Sequence, residues 1–277
     1  MKVFAYVVAA SKNPNAVDTE ECTVPYKVND KWIFFGPCKK HLRENFYRLY
    51  LSTLHDGEVD VSSEDLYVVG VNGSNVEKIR KIVWAGKVQR TLTFEKAYNT
   101  LSSDEQFKEM VMRKNSPLHL EPIYNETKTF IGYKLRSTEH EENNEWIFDV
   151  MKEKNADVRI KGKMLILKDP SRRKEVFSRD CCFLCENIFF AEGKGIDIGD
   201  DILRIFKKAQ PDKTDIDKYA IFGRTKNGSA NGLRGNYLEI CEPLANKLVK
   251  AIIRRSEKMA IHNKPLKKNI QRRGKCS

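Results

Sequence analysis

Apolar residues fall along this chain in short runs, and their spacing switches between two periods. Residues 2–10 are almost continuously apolar, the pattern of a strand buried on both faces. A polar turn over 11–21 follows, and a strand is predicted again over 31–35 before Gly36-Pro37 breaks it. From Lys39 to Leu54 the period lengthens. Leu42, Phe46, Leu49 and Tyr50 share one face of a predicted helix, with Lys40, Arg43 and Arg48 elsewhere, and His55-Asp56-Gly57 ends it. Residues 65–73 read as a short apolar strand running into a turn. Residues 81–91 read as another, with Ile82, Trp84, Gly86, Val88 and Arg90 on a single side.

Thr93 stands where a helix cap belongs, ahead of Phe94 to Tyr98. Ser103-Asp104-Glu105-Gln106 supplies a cap and early acids for a second helix reaching about Arg113. Residues 118–155 are less patterned: a strand candidate at 129–135, a polar run at 137–145 and a short helix at 145–154. Strand patterns return at 158–167 and 181–190, and residues 202–208 read as a short helix entered through Asp200-Asp201. A glycine-spaced loop, 223–235, precedes a helix predicted over 236–255, where Leu238, Cys241, Leu244, Ala245, Leu248 and Ile252 form one stripe. Beyond it Pro265 and Gly274 interrupt helical spacing, so residues 256–277 read as a disordered basic tail. No repeat of fixed period is present. The expected architecture is a single α+β domain over residues 1–255, with an inserted middle region at about 115–155, and the tail after it.

Composition agrees with a folded domain: of 277 residues, 40% are hydrophobic and 32% charged. Charge changes the picture more. Fifty Lys and Arg against 38 Asp and Glu leave a net +12, which favours a polyanion as partner: DNA, RNA or an anionic membrane surface. No membrane segment is expected, because the apolar start is short, contains Tyr6 and runs straight into Asn13-Pro14-Asn15. It reads as a strand rather than a signal peptide. Seven scattered cysteines, an odd number, read as reduced thiols in a cytoplasm.

Candidate chemistry narrows by elimination. Cys182 and Cys185 form a C-x-x-C that Cys38 and His41 could complete, but the pair sits in an apolar strand, where thiols act as small hydrophobes; no metal is expected. There is no G-x-S-x-G, no dyad among His41, His55, His119, His140 and His262, and no phosphate-loop pattern, so no cofactor is called for. Asp212, Asp215, Asp217 and Lys218 are too close together for the two neighbouring strands a metal nuclease needs, and read as a solvated loop. What stands out is basic residues interleaved with aromatics. Lys39, Lys40, Arg43 and Arg48 accompany Phe46 and Tyr47; Arg224, Lys226 and Arg234 decorate the glycine loop; Lys264, Lys267, Lys268, Arg272, Arg273 and Lys275 fill the tail. Such groups hold phosphates with little sequence information. Trp32, Trp84 and Trp146 are candidate walls for a base, or core residues.

Several segments together carry a family resemblance. Asp65-Leu66-Tyr67-Val68-Val69-Gly70 resembles a strand of PUA-like and EVE-like barrels. It is followed by Arg80-Lys81-Ile82-Val83-Trp84-Ala85-Gly86-Lys87-Val88 and by Leu92-Thr93-Phe94-Glu95-Lys96-Ala97-Tyr98. Tyr6-Val7-Val8, Gly36-Pro37-Cys38-Lys39-Lys40-His41-Leu42-Arg43 and the run 182–193 agree with the same order. The chain thus resembles the second of the nucleotide-modification-associated domain families, found near DNA base-modification genes in bacteria and phages. It departs from that pattern at Glu64, at Lys40 and over residues 20–36. The resemblance implies a PUA-like mixed β-barrel core with helical additions. It also implies a base pocket with Cys38, Lys39, Lys40 and Arg43 at its mouth, and Tyr67, Trp84 and the end of the 182–190 strand as walls. The expected function is a nucleic-acid-binding accessory protein linked to DNA base modification, sensing a modified base, with DNA favoured over RNA. Two alternatives stay open: an enzyme acting on a nucleotide, base or DNA, for which Glu64, Asp65, Glu186 and Glu192 offer acids, and an RNA-binding PUA-like protein.

Overall fold

The computed structural model describes residues 1–8, 25–36, 39–52, 56–72, 80–113, 116–118, 120–136, 157–192, 194–213, 216–218, 221 and 237–262. In chain order the elements begin with β1 (Lys2–Val7), β2 (Tyr26–Lys27), β3 (Trp32–Phe35) and α1 (Lys40–Phe46), which continues into a π-helical turn (Tyr47–Leu51). Then come β4 (Glu58–Asp60), β5 (Leu66–Val71), β6 (Lys81–Leu92), α2 (Phe94–Leu101), α3 (Glu105–Met112), β7 (Leu120–Tyr124) and β8 (Phe130–Leu135). After them stand β9 (Val158–Lys161), β10 (Met164–Leu167), α4 (Arg173–Val176), β11 (Cys182–Phe190), β12 (Ile196–Asp197), α5 (Asp200–Ala209), β13 (Leu238–Cys241) and α6 (Leu244–His262).

The larger sheet runs β13-β1-β5-β6-β11-β3-β2, with β4 and β12 also paired to the long strand β6. β1 and β5 are parallel and the other pairings antiparallel. Among the described residues its path ends at β13 and β2 without pairing between them, so the sheet is open and the architecture is mixed α+β. β1 explains why the first apolar run has no polar alternation. Val3 and Ala5 face one core and Phe4 and Tyr6 the other, so both faces are covered. On the first face lie α5 and α6, packed through Ile202, Ile205 and Phe206 and through Ala245, Leu248 and Ile252. On the opposite face lie α1 and its π-turn, through Leu42, Phe46, Tyr47 and Leu51.

A smaller antiparallel sheet, β7-β8-β10-β9, packs with α2 and α3 against the end of the large one, around Phe34, Leu92 and Leu184. A buried polar cluster ties the two together. Asp180 accepts from the Phe94 backbone N–H at 2.8 Å, from the Tyr133 hydroxyl of β8 and from Arg173 at 3.2 Å, while Arg173 also reaches Glu95 and lies 4.0 Å over the Phe130 ring. Burial raises the Asp180 carboxyl, and Arg173, Tyr133 and Phe94 pull it back down. No helix among the described residues is long and apolar enough to cross a membrane.

The structure corrects several sequence expectations. Leu49 does not share the buried face of α1 but is 55% exposed. The Ser52 N–H bonds to the Tyr47 carbonyl, an i→i+5 step that inserts one residue and turns Tyr47 and Leu51 inward instead. Ile82 and Trp84 lie on opposite faces of β6. The register passes from Gly70↔Trp84 to Val71↔Ile82 and skips Val83, so a bulge breaks the alternation there. Residues 158–167 are two strands, hinged at Gly162 with φ 58°. β7 had no sequence signal because Pro122 lies inside it; it is an edge strand, where a proline is tolerated. The helix expected over 236–255 begins only after Pro243. Leu238–Cys241 is a strand on β1, and the helix continues past Arg255 to His262, so the first residues assigned to a tail are helical. The polar run and helix expected at 137–154, the loop 223–235 and residues 263–277 lie outside the described residues.

Candidate nucleic-acid interface

Burial of one face fixes what α5 and α6 present on the other. In α5, Ile202, Ile205 and Phe206 point into the core, leaving Arg204 and Lys208, one turn apart, exposed together. In α6 the inward stripe of Ala245, Leu248 and Ile252 leaves Lys247, Lys250 and Arg254 along a single exposed line. The two helices run antiparallel. Asp201, at the start of α5, pairs with Arg254 at 3.4 Å and Arg255 at 2.5 Å, far along α6. The end of α5 lies by β13, which leads into α6.

Between them is a groove of about 430 Å³. Arg204 and Lys208 form one wall and Lys247, Lys250 and Arg254 the other, over a floor of Ile205, Leu244 and Ala251; among the described residues Asp201 is its single acid. Among the described residues, Arg204, Lys208, Lys247 and Lys250 have no carboxylate within ion-pair distance. Four uncompensated cations along one cleft make a strong local positive potential, which draws anions with several negative charges in a row.

A second, larger cavity of about 780 Å³ opens on the other side of the α5 C-terminus. His41, Glu44, Asn45 and Arg48 line it from α1 and its π-turn, Gln210 to Lys213 from the chain after α5, and Tyr237 to Glu239 from the start of β13. Glu44 is held by Arg179 at 3.3 Å, and Glu239 by Lys2 at 2.7 Å. The Tyr237 ring packs edge-on against Phe4, with centroids 5.6 Å apart, and burial raises its phenol.

Those residues singled out in the sequence that are described do not assemble as one mouth. Lys39 adopts a left-handed conformation, φ 60°, and its ammonium lies 5.3 Å over the Tyr6 ring. Arg43 is fully buried and donates to the Arg179 carbonyl at 2.6 Å, so it braces the fold and offers nothing to a phosphate. Lys40 is the first residue of α1. Trp84 is fully buried, donates its indole N–H to the Tyr6 hydroxyl at 2.9 Å and stacks on Phe35 at 5.9 Å. Gly70 makes room for it: a Cβ there would come 2.1 Å from its Nε1. Tyr67 belongs to the core under α5 and α6, on the face of the sheet opposite Trp84, so the two cannot wall one pocket. Cys38, Arg224, Lys226, Arg234, Lys267, Lys268, Arg272 and Arg273 lie outside the described residues.

The acids offered to an enzymatic reading are dispersed. Glu64 accepts from the Tyr50 hydroxyl at 2.7 Å, Asp65 pairs with Lys87 at 3.3 Å, Glu186 accepts from Gln89 at 3.1 Å, and Glu192 binds Lys27. Cys182 and Cys185, both fully buried, face different cores across β11 and so cannot share one ion; burial raises both thiols. The groove has no signature of its own in the sequence. Its basic spacing within each helix was visible, but nothing in the sequence says that α5 and α6 lie side by side. In comparisons with family models, with curated proteins and with solved structures, nothing matches this chain.

Proposed function

We propose that this chain is a nucleic-acid-binding accessory protein, of DNA before RNA, that serves base modification without catalysing it. The observation that carries the binding half is the groove between α5 and α6, where Arg204, Lys208, Lys247 and Lys250 stand together without acidic partners among the described residues. Each such cation can replace a counterion on a phosphate, and the net charge of +12 adds a favourable long-range field. The link to modified bases, and with it the PUA-like reading of the sheet, rests on the sequence resemblance around Asp65 and Trp84. With Trp84 and Tyr67 in the core, the proposed place for a flipped base is the 780 Å³ cavity, where Tyr237 supplies an aromatic edge.

The test is a fluorescence titration of the purified chain with a plain oligonucleotide in dilute salt, repeated with the four groove cations changed to Ala. Binding at micromolar or tighter affinity, weakened at least tenfold by the substitutions, supports the reading. Absence of binding in dilute salt ends it. A matched pair of modified and plain oligonucleotides then asks whether Tyr237→Ala removes a preference between them.

A further inference from the structure

We infer that the groove between α5 and α6 is a channel for single-stranded nucleic acid, not a contact surface for duplex. The inference rests on the nucleic-acid reading above and specifies its partner. Cations line both walls of the cleft, Arg204 and Lys208 on one side and Lys247, Lys250 and Arg254 on the other. The walls are the exposed side chains of two helices packed on one core, and the cleft they enclose holds about 430 Å³, the scale of a short stretch of one strand and far below the bulk of a duplex. A duplex is a thick convex rod. It would touch one wall with one of its strands and leave the other wall's charges facing water.

A single strand can settle between the walls, with phosphates reached from both sides and its sugars against the floor of Ile205, Leu244 and Ala251. Along α6 the cations from Lys247 to Arg254 span about 10 Å, so only a short stretch of backbone is held. Among the described residues no aromatic side chain lines the groove, so these walls offer bases no stacking surface and hold the backbone. Asp201 closes one end by occupying Arg254 and Arg255, which restricts the uncompensated charge to the middle and the other end.

The experiment uses the full chain and a labelled mixed-sequence oligonucleotide of 20 nucleotides (~ the length needed to cover the groove and its flanks), alone and annealed to its complement. The same titrations are run with Lys208→Glu/Lys250→Glu, one exposed residue from each wall, after a thermal melt has established that the variant folds. Tenfold or tighter binding of the single strand, with at least tenfold lost in the variant and a smaller loss for duplex, is the expected result. Equal or tighter binding of duplex overturns the inference while leaving the broader reading intact. Unchanged single-strand binding by the folded variant also overturns it. So does competition by polyglutamate as effective as that by unlabelled oligonucleotide, which would assign the groove to an acidic protein. Binding of neither nucleic acid by the unaltered chain removes the broader reading as well.

Discussion

Trp84 and Asp201 show how far a side chain's role depends on what the fold places next to it. An indole in a basic chain suggests a base-stacking platform, yet Trp84 is enclosed by Tyr6, Phe35 and the glycine at 70. Its removal should therefore act on stability. Trp84→Ala is expected to cost about 3–5 kcal/mol in denaturant unfolding, while the folded fraction binds nucleic acid as before. Loss of binding without loss of stability would put the indole back in a site. Asp201 is the reverse case, an ordinary surface acid by sequence that holds two guanidinium groups at the end of the cationic groove. Asp201→Asn frees Arg254 for phosphate, while Arg255 keeps its bond to the Asp197 carbonyl at 2.6 Å, so affinity should rise and the salt dependence steepen by about one contact. Titrations at two salt concentrations check this, and weaker binding would contradict it.

At the scale of elements, local chemistry was legible and long-range register was not. Thr93 caps α2 as its sequence position suggests, its hydroxyl accepting from the Lys96 N–H at 3.2 Å; Thr93→Ala should cost about 1 kcal/mol. Asp104, rather than the serine before it, caps α3, one residue from where the pattern placed the start. The bulge at Val83 and the π-turn after Phe46 each insert one residue, and no single-residue propensity announces such a step. Leu238, Cys241 and Ala245 fit a helical period, so the pattern predicts helix through β13; in the strand itself Ile240 is the buried residue and Cys241 is exposed. Pro243 was the available sign that the helix starts later. The attachment of the small sheet was invisible for another reason: Asp180, Tyr133, Arg173 and Glu95 are scattered over three segments of sequence. Removing the shared acceptor leaves the buried Tyr133 hydroxyl and Phe94 N–H without it and Arg173 with Glu95 as its remaining carboxylate, so Asp180→Ala should destabilise by about 3–5 kcal/mol. Tyr133→Phe, which leaves the carboxylate two donors, should cost about 1–2 kcal/mol. Equal effects in chemical denaturation would mean that the hydroxyl, and not the charge pair, holds the junction.

For the molecule as a whole, charge was readable and its address was not. The net +12 pointed to a polyanion, but the sequence directed attention to segments near 38–43, 224–234 and the end of the chain. Of these, the described part supplies a buried Arg43 and a Lys39 engaged with Tyr6, while the open cations lie on two helices about 40 residues apart in sequence. Residues 264–277 still carry Lys264, Lys267, Lys268, Arg272, Arg273 and Lys275 without an acid. Their deletion should weaken binding to all sequences alike and leave the thermal midpoint nearly unchanged, since α6 makes its core contacts before them. If deletion instead abolished a preference for a modified base, recognition would reside in that segment.

The central claim is that the cleft between α5 and α6 takes the phosphates. The slope of log affinity against log salt tests it most directly, measured with one single-stranded oligonucleotide for the unaltered chain and for the variant with Arg204, Lys208, Lys247 and Lys250 all changed to Ala. Each lost phosphate contact should flatten the slope by about 0.7 on single strands, so a reduction of roughly two to three is predicted, with the variant's fold intact. An identical slope in the two proteins would place the phosphates elsewhere on the surface and contradict the account.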